Sequence, residues 1–326
     1  MAYGMARKSR RHQRLTDVVE SWDGRPVLVV GDAMLDEWRF AESDRLCREA
    51  PAPVLTLRRR QLAAGGAANT AVNLAALGAR PTLVALIGSD AAGDELRDCL
   101  DRAGVRDRTV TRPGWSTPVK RRLLAADQIL VREDEGSGDD TLTAEGVREL
   151  LDVLAAVTAD LGAEPTLVVC DYGLGALPEA VRAWLIAHRE HFATIALDAH
   201  DLTAWHGLRP TVVTPSFDEA TRLLSSRQGT TGTGPVNDLA PGCTNRTEIA
   251  QAYLSELRER TGAEVVAVTV DVDGTVAAGA DGGRHRSHTT PVPASHAVGA
   301  GDAYLAAMTL ALASGALAQA TDVPTN

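Results

Sequence analysis

Short apolar runs recur along the chain, spaced so that one helix fits between most neighbours. They are Val27–Val30, Thr82–Ile87, Leu167–Cys170, Thr194–Leu197, Thr211–Thr214 and Val265–Val270. Each is rich in β-branched side chains and bounded by Gly, Asp or Pro, which predicts strands covered on both faces. Helical patterns alternate with them at Asn69–Leu77, Asp94–Arg102, Thr143–Leu161, Glu179–His191, Thr247–Arg260 and Ala303–Ser314. Gly78, Gly104 and Gly162 close the first three, because glycine takes the left-handed backbone of a helix stop without penalty. Thr143, with Glu145 in the first turn, opens the third. Such alternation restricts the chain to an α/β fold, a doubly wound, mostly parallel sheet flanked by helices. Pro53–Leu62 and Val119–Arg132 break the alternation with extended patterns that lack helices, Ala126-Asp127 marking a hairpin turn in the second. They predict a small β-sheet, with segments at about residues 37–63 and 115–133, that is either a lid covering a site and excluding water or a decorative hairpin on the sheet edge.

A length of 326 residues accommodates one large α/β domain, assigned to residues 25–326. Residues 1–24 carry the basic cluster Arg7, Lys8, Arg10, Arg11 and Arg14 with no apolar segment behind it, so they are expected to be a disordered tail and not a secretory signal. Residues 225–247 are rich in Gly, Thr, Pro and Asn and are expected to be a flexible insertion. The net charge of −10 argues against nucleic acid as a partner. No apolar run approaches the roughly 20 residues needed to span a membrane. Cys47, Cys99, Cys170 and Cys243 are scattered without metal or disulfide spacing, which fits reduced thiols and a cytoplasmic protein. His285 and His288 belong to a polar hairpin arm and read as surface residues.

Ligands of open α/β sheets bind beyond the carboxyl ends of the strands, and five motifs fall there. Gly31-Asp32-Ala33-Met34-Leu35-Asp36 places Asp32 and Asp36 to accept hydrogen bonds from hydroxyls, unless they only bond locally in a turn. Ala64-Gly65-Gly66-Ala67-Ala68-Asn69 enters a helix; Gly65 and Gly66 admit a ligand close to the backbone, and Asn69 both donates and accepts. Asp171-Tyr172-Gly173-Leu174-Gly175 is the third and Thr214-Pro215-Ser216-Phe217-Asp218-Glu219 the fourth. Glu219 is placed to hold a magnesium ion through water, since that ion keeps much of its hydration. In the fifth, Thr269-Val270-Asp271-Val272-Asp273-Gly274, Thr269 and Gly274 are placed to line a nucleotide. Near the end, His296-Ala297-Val298-Gly299-Ala300-Gly301-Asp302 runs into a helix. The free amides and dipole of such a helix start suit a phosphate. Asp302 there either caps its own first turn or takes a proton from an attacking hydroxyl.

Taken in this order, the motifs resemble those of the ribokinase-like (PfkB) carbohydrate kinase family, from about Val27 to the end. Within it the chain is most similar to the branch acting on D-glycero-D-manno-heptose 7-phosphate. That similarity rests on Glu49-Ala50-Pro51-Ala52-Pro53-Val54 and on Cys170-Asp171-Tyr172-Gly173 with Gly175-Ala176-Leu177. The resemblance implies a ribokinase-like fold, ATP and Mg²⁺ as cofactors and a small sugar or sugar phosphate as acceptor. It implies Asp302 as the base and the Gly299, Ala300 and Gly301 amides as the cradle of the transferring phosphoryl group. It places the sugar on Asp36, Gly65, Gly66 and Asn69, with Asp32 and Asp171 nearby, and an acceptor phosphate on Lys120 and Arg122. It assigns Ser216 and Glu219 to the magnesium and triphosphate, and Thr269, Asp271 and Gly274 to the nucleotide. It implies the anomeric hydroxyl as acceptor, a 1,7-bisphosphate product and a homodimer through the lid.

The chain departs from the family at several positions. Ser216 stands for an Asn, His296-Ala297-Val298 for Asp-Thr/Val-Thr, and Leu174 for a Lys. Asp198-Ala199-His200 stands for Asp-Pro-Lys, and Val270 for an Arg. These losses leave two alternatives beside the kinase: a non-catalytic sugar- or nucleotide-binding protein, and a kinase for another sugar or nucleoside. Asp302 and its glycines favour catalysis, while Lys120 and Arg122 disfavour a nucleoside acceptor. The chain also stops before the helix that the family usually places beside adenine, so either the C-terminal end of the family domain is expected to be missing or the adenine pocket is unusual; in some members of the heptose branch a nucleotidyltransferase domain follows.

Overall fold

The structure is a computed structural model describing residues 15–126, 128–136, 142–162, 165–225, 245–290 and 298–315. Residues 1–14 of the tail, 226–244 of the insertion, Cys243, Asp127, His296, Ala297 and the chain end from 316 lie outside the described residues.

Strand β1 (Pro26–Gly31) is followed by the long antiparallel pair β2 (Ala33–Leu46) and β3 (Pro53–Gly66). The Ala67–Ala76 helix leads to β4 (Arg80–Val84) and β5 (Leu86–Gly88), and the Ala91–Arg102 helix to β6 (Arg106–Asp107) and β7 (Val110–Arg112). β8 (Val119–Ala125) and β9 (Gln128–Glu135) form a hairpin ahead of the Ala144–Asp160 helix. β10 (Thr166–Asp171), the Glu179–Ala187 helix, β11 (Thr194–Ala199) and β12 (Val212–Val213) come next. The Phe217–Ser225 and Arg246–Thr261 helices precede β13 (Val265–Thr269), β14 (Thr275–Ala278) and β15 (Arg284–Ser287), and the Ala300–Ala313 helix comes last.

Among the described residues the main sheet runs β15-β14-β13-β12-β11-β10-β1-β4-β6. Its pairings are parallel except at the β13-β14 and β14-β15 edge. From β1 the chain builds outward through β4 to β6, then returns to β10 on the other side and builds toward β13. The reversal lies between β1 and β10, and it opens a crevice at their carboxyl ends.

Alternate residues of the central strands face opposite layers. Leu28, Val30, Leu167, Val169, Ile195 and Leu197 pack with residues of the Ala144–Asp160, Glu179–Ala187, Phe217–Ser225 and Arg246–Thr261 helices. Val27, Val29, Val168, Cys170 and Ala196 pack with residues of the Ala67–Ala76, Ala91–Arg102 and Ala300–Ala313 helices. Each large side chain so buried contributes roughly 1.5–3 kcal/mol. In the second layer Ala67, Ala68, Ala71 and Ala306 let the Ala67–Ala76 and Ala300–Ala313 helices lie close to the sheet and to one another.

The second sheet, β3-β2-β8-β9, is the expected small lid. It is larger than the expected segments. β2 begins at Ala33, so the Gly31–Asp36 motif is a strand start and not a free turn. Thr82–Ile87 divides at Ala85 into β4 and β5, which belong to different sheets. The tail expectation also needs correction, because residues 15–20 are helical and Trp22 is buried. Leu15, Val18, Val19 and Trp22 have the i, i+3, i+4, i+7 spacing of an amphipathic helix, and Val18 and Trp22 pack against the second layer.

Candidate active site

The crevice at the β1/β10 end collects the motifs that lie far apart in sequence. Parallel register sets Gly31 beside Cys170 and Cys170 beside Asp198, so the residues after β1, β10 and β11 emerge together. The Ala300–Ala313 helix points its start into the same region.

Gly299 is the N-cap of that helix, with φ 82° and no side chain capping the turn. The Ala300 and Gly301 amides therefore lack a side-chain partner at an exposed helix start. Asp302 does not cap its own helix. Asn69 Nδ2 donates to Asp302 Oδ2 at 2.6 Å, and the Tyr172 hydroxyl lies 3.1 Å from Asp302 Oδ1. Asn69 is held in turn by Asn73, whose Nδ2 donates to Asn69 O at 2.9 Å and Oδ1 at 3.2 Å. Burial pushes the Asp302 carboxyl up; the Asn69 and Tyr172 hydrogen bonds oppose this, Asp36 raises it further and Lys120 lowers it. Glycine is required at 299, since a Cβ there would lie 2.6 Å from Asn69 Nδ2.

The lid contributes the opposite wall. Asp36, on β2, is in register with Lys120 on β8, and Lys120 with Asp134 on β9. Arg122 Nη1 donates to Asp36 Oδ1 at 2.5 Å, and both side chains are buried. Lys120 is half-buried, and its ammonium is pushed down by desolvation and by the charges of Arg132 and Arg122, against Asp36 and Asp134. A lysine so placed gains from an anionic ligand. Gly65 is matched to this wall, because a Cβ there would lie 2.6 Å from Asp36 Oδ2. The alternate face of the lid holds Glu37, fully covered by Arg39, Arg60 and Arg121 at 2.6, 2.6 and 2.8 Å. Desolvation opposes its charge, but the hydrogen bonds from Arg60, Arg39 and Arg121 prevail and hold it at about 2. Arg60 also grips Glu95 of the Ala91–Arg102 helix at 2.6 and 2.9 Å, which ties the lid to the body.

Several expected ligands are used otherwise. Asp32 is 2% exposed, and its carboxylate accepts from the amides of Tyr172, Leu174 and Ala176 at 2.8, 3.0 and 3.0 Å. It anchors the loop after β10 and is not an open acceptor for hydroxyls. Asp171 accepts from Trp205 Nε1 at 2.8 Å and from the Gly173 amide at 3.2 Å, so it too serves the scaffold. Ser216 and Glu219 form a reciprocal capping box: the Ser216 amide and hydroxyl donate to Glu219 Oε2 at 2.9 and 2.8 Å, and the Glu219 amide to Ser216 Oγ at 3.3 Å. Ser216 thus serves as an N-cap for the Phe217–Ser225 helix. Glu219 Oε1 faces His200 Nε2 at 3.7 Å. Thr269 bridges to Ser216 at the end of β13, and Gly274, φ 88°, closes the turn to β14. Asp271 Oδ2 accepts from Arg246 Nη1 at 2.7 Å on the exposed rim.

Two residues that the sequence reading did not place in the site stand at its centre. The Tyr172 hydroxyl lies 2.8 Å from Asp198 Oδ2 as well as 3.1 Å from Asp302 Oδ1. Burial raises the Asp198 carboxyl to about 7; the Tyr172 hydrogen bond opposes this, and the charges of Glu219 and Asp302 add to it. Both belong to motifs that the sequence singles out, Asp171–Gly175 and Asp198–His200, but neither has a role assigned there. Among the described residues no group of three or more His, Cys, Asp or Glu could hold a metal ion by itself. A magnesium ion here would rest on Glu219 and on phosphate oxygens and water, which is how that ion ordinarily binds. The uncapped amides at Ala300 and Gly301 fit the phosphates.

The family described as pfkB family carbohydrate kinase matches residues 25–320. A "Bifunctional protein HldE" of Paramagnetospirillum magneticum is 33% identical over 306 residues, 93% of this chain and 58% of that protein. A "D-beta-D-heptose 7-phosphate kinase" of Bordetella bronchiseptica is 38% identical over 164 residues, 50% of each chain. The chain thus matches between 50% and 58% of the length of these curated relatives. Among solved structures, Escherichia coli phosphofructokinase-2 in complex with substrates and products aligns with a TM-score of 0.69 at 18% identity, covering 90% of this chain and 87% of that one. Its tetrameric inhibited form aligns at 0.66 and 20%, covering 90% and 88%. These two likenesses concern the fold.

Proposed function

The chain belongs to the pfkB family of carbohydrate kinases, and from that premise we propose that it phosphorylates a sugar already carrying a phosphate, a heptose 7-phosphate at its anomeric hydroxyl, from ATP. Family membership supports a sugar kinase. The observation that carries the finer reading is the placement of Asp302: a carboxylate on the first turn of an uncapped helix, fixed by Asn69 and Tyr172 and within the field of Lys120 on the lid.

In this reading the acceptor hydroxyl lies against Asp302. Asp302 takes its proton as the oxygen attacks the γ-phosphorus, and the bond from that phosphorus to the bridging oxygen breaks to release ADP. A base raised by burial is closer to the pH at which it works, so the shift favours the transfer. The Ala300 and Gly301 amides receive the charge spread over the transferring phosphoryl oxygens. Glu219 would hold a magnesium ion through water, and that ion would neutralise charge on the triphosphate. Lys120, with Arg122 beside it, receives the phosphate of the acceptor; Asp36 and Asn69 orient its hydroxyls. Thr269, Asp271 and Gly274 form the nucleotide edge. Asp32 and Asp171 act indirectly, by fixing the loop that carries Tyr172.

The lid supports a homodimer. Leu57, Ile129, Leu130 and Val131 are exposed, and β9 is an edge strand exposed along its length. No helix among the described residues is long and apolar enough to cross a membrane. Cys47, Cys99 and Cys170 are free thiols, which supports a cytoplasmic setting.

The experiment is ADP release from ATP with Mg²⁺ over heptose 7-phosphate, hexose phosphates, free sugars and nucleosides. The reading expects heptose 7-phosphate to lead by kcat/KM. A lead by free sugars or nucleosides removes the role given to Lys120 and Arg122. Ligand binding by calorimetry without ADP release from any acceptor makes the protein a binder and not a kinase.

A further inference from the structure

Tyr172 stands between two carboxyl groups, 2.8 Å from Asp198 Oδ2 and 3.1 Å from Asp302 Oδ1. A phenol carries one proton, so it donates to one of them at a time. If both carboxylates are ionised, one contact sets oxygen lone pairs against each other in a part-buried site, which is costly. Both contacts are satisfied when one of the two carboxyls carries a proton. The second donor on Asp302, Asn69 Nδ2 at 2.6 Å, favours the charged form there and leaves the proton to Asp198. Asp198 then donates to the Tyr172 oxygen, and Tyr172 donates to Asp302.

The groups around this chain of hydrogen bonds favour that arrangement. Glu219 and Asp302 add negative charge at Asp198. Cys170, next to Asp198 in the sheet, is fully buried, and burial above all keeps its thiol neutral. The His200 ring meets the edge of Tyr172 at 5.4 Å and points its Nε2 toward Glu219. Asp302 faces Asn69, Asp36 and Lys120 on its other sides. The Tyr172 hydroxyl is itself raised well above its ordinary value, by burial first and then by the surrounding negative charges, so it stays protonated.

We infer that Asp198 is a positioning residue that sets, through the single proton of Tyr172, how strong a base Asp302 is. The inference rests on the reading of Asp302 as the base. With Asp198 protonated, the Tyr172 proton is fixed on Asp302 and tempers it. When Asp198 ionises, it draws that proton to itself. Asp302 then loses one of its two hydrogen bonds, gains a negative neighbour and becomes more basic. Turnover therefore climbs across the ionisation of Asp198 near neutrality.

The test combines kcat against pH with carboxyl carbon NMR of aspartate-labelled protein without ligands, both from about pH 5 to about pH 9. Wild type is compared with Asp198→Asn and Tyr172→Phe, and the Asp302 signal is assigned by its disappearance in Asp302→Asn. The expected result is a rise of about 3- to 10-fold in wild-type kcat through this range that Asp198→Asn abolishes. The wild-type Asp302 signal should move in step with the Asp198 ionisation, and that movement should shrink in Tyr172→Phe. An Asp198→Asn profile that superimposes on wild type overturns the inference. So does a wild-type Asp302 signal blind to Asp198, a result that needs no variant of Asp198 or Tyr172 to fold. Full activity in Asp302→Asn instead overturns the base assignment, and the NMR coupling still reports separately on the two carboxyls.

Discussion

Substituting Asp302→Asn preserves the shape of the side chain and removes the capacity to accept a proton. The hydrogen bonds from Asn69 and Tyr172 leave little room for another group to replace it. We expect kcat to fall about 10²- to 10⁴-fold with nucleotide affinity nearly unchanged; steady-state kinetics and calorimetry of the same preparation check this. Gly299→Ala places a Cβ against Asn69 Nδ2 on a left-handed backbone. It should cost about 1–2 kcal/mol of stability and displace Asn69, so that kcat falls while the fold persists; a thermal melt and a kcat measurement report the two effects. Asp198 carries a stability prediction of its own. Its carboxyl is raised from 3.8 to about 7, so between those values the folded chain holds a proton that the unfolded chain has released. The contribution of Asp198 to stability should therefore be full below about pH 4 and be lost as pH rises through about 7. Asp198→Asn should flatten that slope in melting temperatures taken across the range.

The elements explain which parts of the site the sequence could disclose. Val27–Val30, Leu167–Cys170 and Thr194–Leu197 are short, apolar and β-branched, which suffices to place the carboxyl ends of β1, β10 and β11 and hence the crevice. The residues just beyond each strand were less legible. Asp32 and Asp171 have the composition of sugar ligands, but their carboxylates are taken by backbone amides and Trp205, partners that only the closed loops provide. Tyr172 and Asp198 are 26 residues apart, and it is the pairing of β10 with β11 that joins them. Most of β2 falls within the expected lid segment at about residues 37–63, but Ala41–Leu46 is half-buried or exposed throughout and offers no alternation by which its strand could be read. The lid also carries an acid-sensitive element. Glu37 lies at about 2 against an ordinary 4.5, so its contribution is complete above the ordinary value and is lost as pH falls through the lower one. Glu37→Gln leaves Arg39, Arg60 and Arg121 without their shared anion. Arg60 keeps Glu95 and Arg121 keeps Glu133 and Glu135, so lid stability at neutral pH should fall by only about 1–3 kcal/mol. The change should appear as faster amide exchange in β2, β3 and β8 and a higher KM for the acceptor.

At the scale of the whole molecule, a lid sheet rises over the switch point of a doubly wound sheet, with its exposed apolar strand turned outward. If β9 pairs two copies, sedimentation should give a dimer, and Val131→Glu should shift it toward monomer at the same protein concentration. The proposed function requires that this crevice transfer a phosphoryl group to a phosphorylated sugar with Asp302 as base. Phosphorus NMR of the protein with ATP, Mg²⁺ and heptose 7-phosphate, run in parallel with Asp302→Asn, decides it. With wild-type protein a new anomeric phosphate signal should grow in step with ADP, and the variant should give nearly none. An unchanged ATP spectrum with wild-type protein, or an equal product signal from both, would be incompatible with that chemistry.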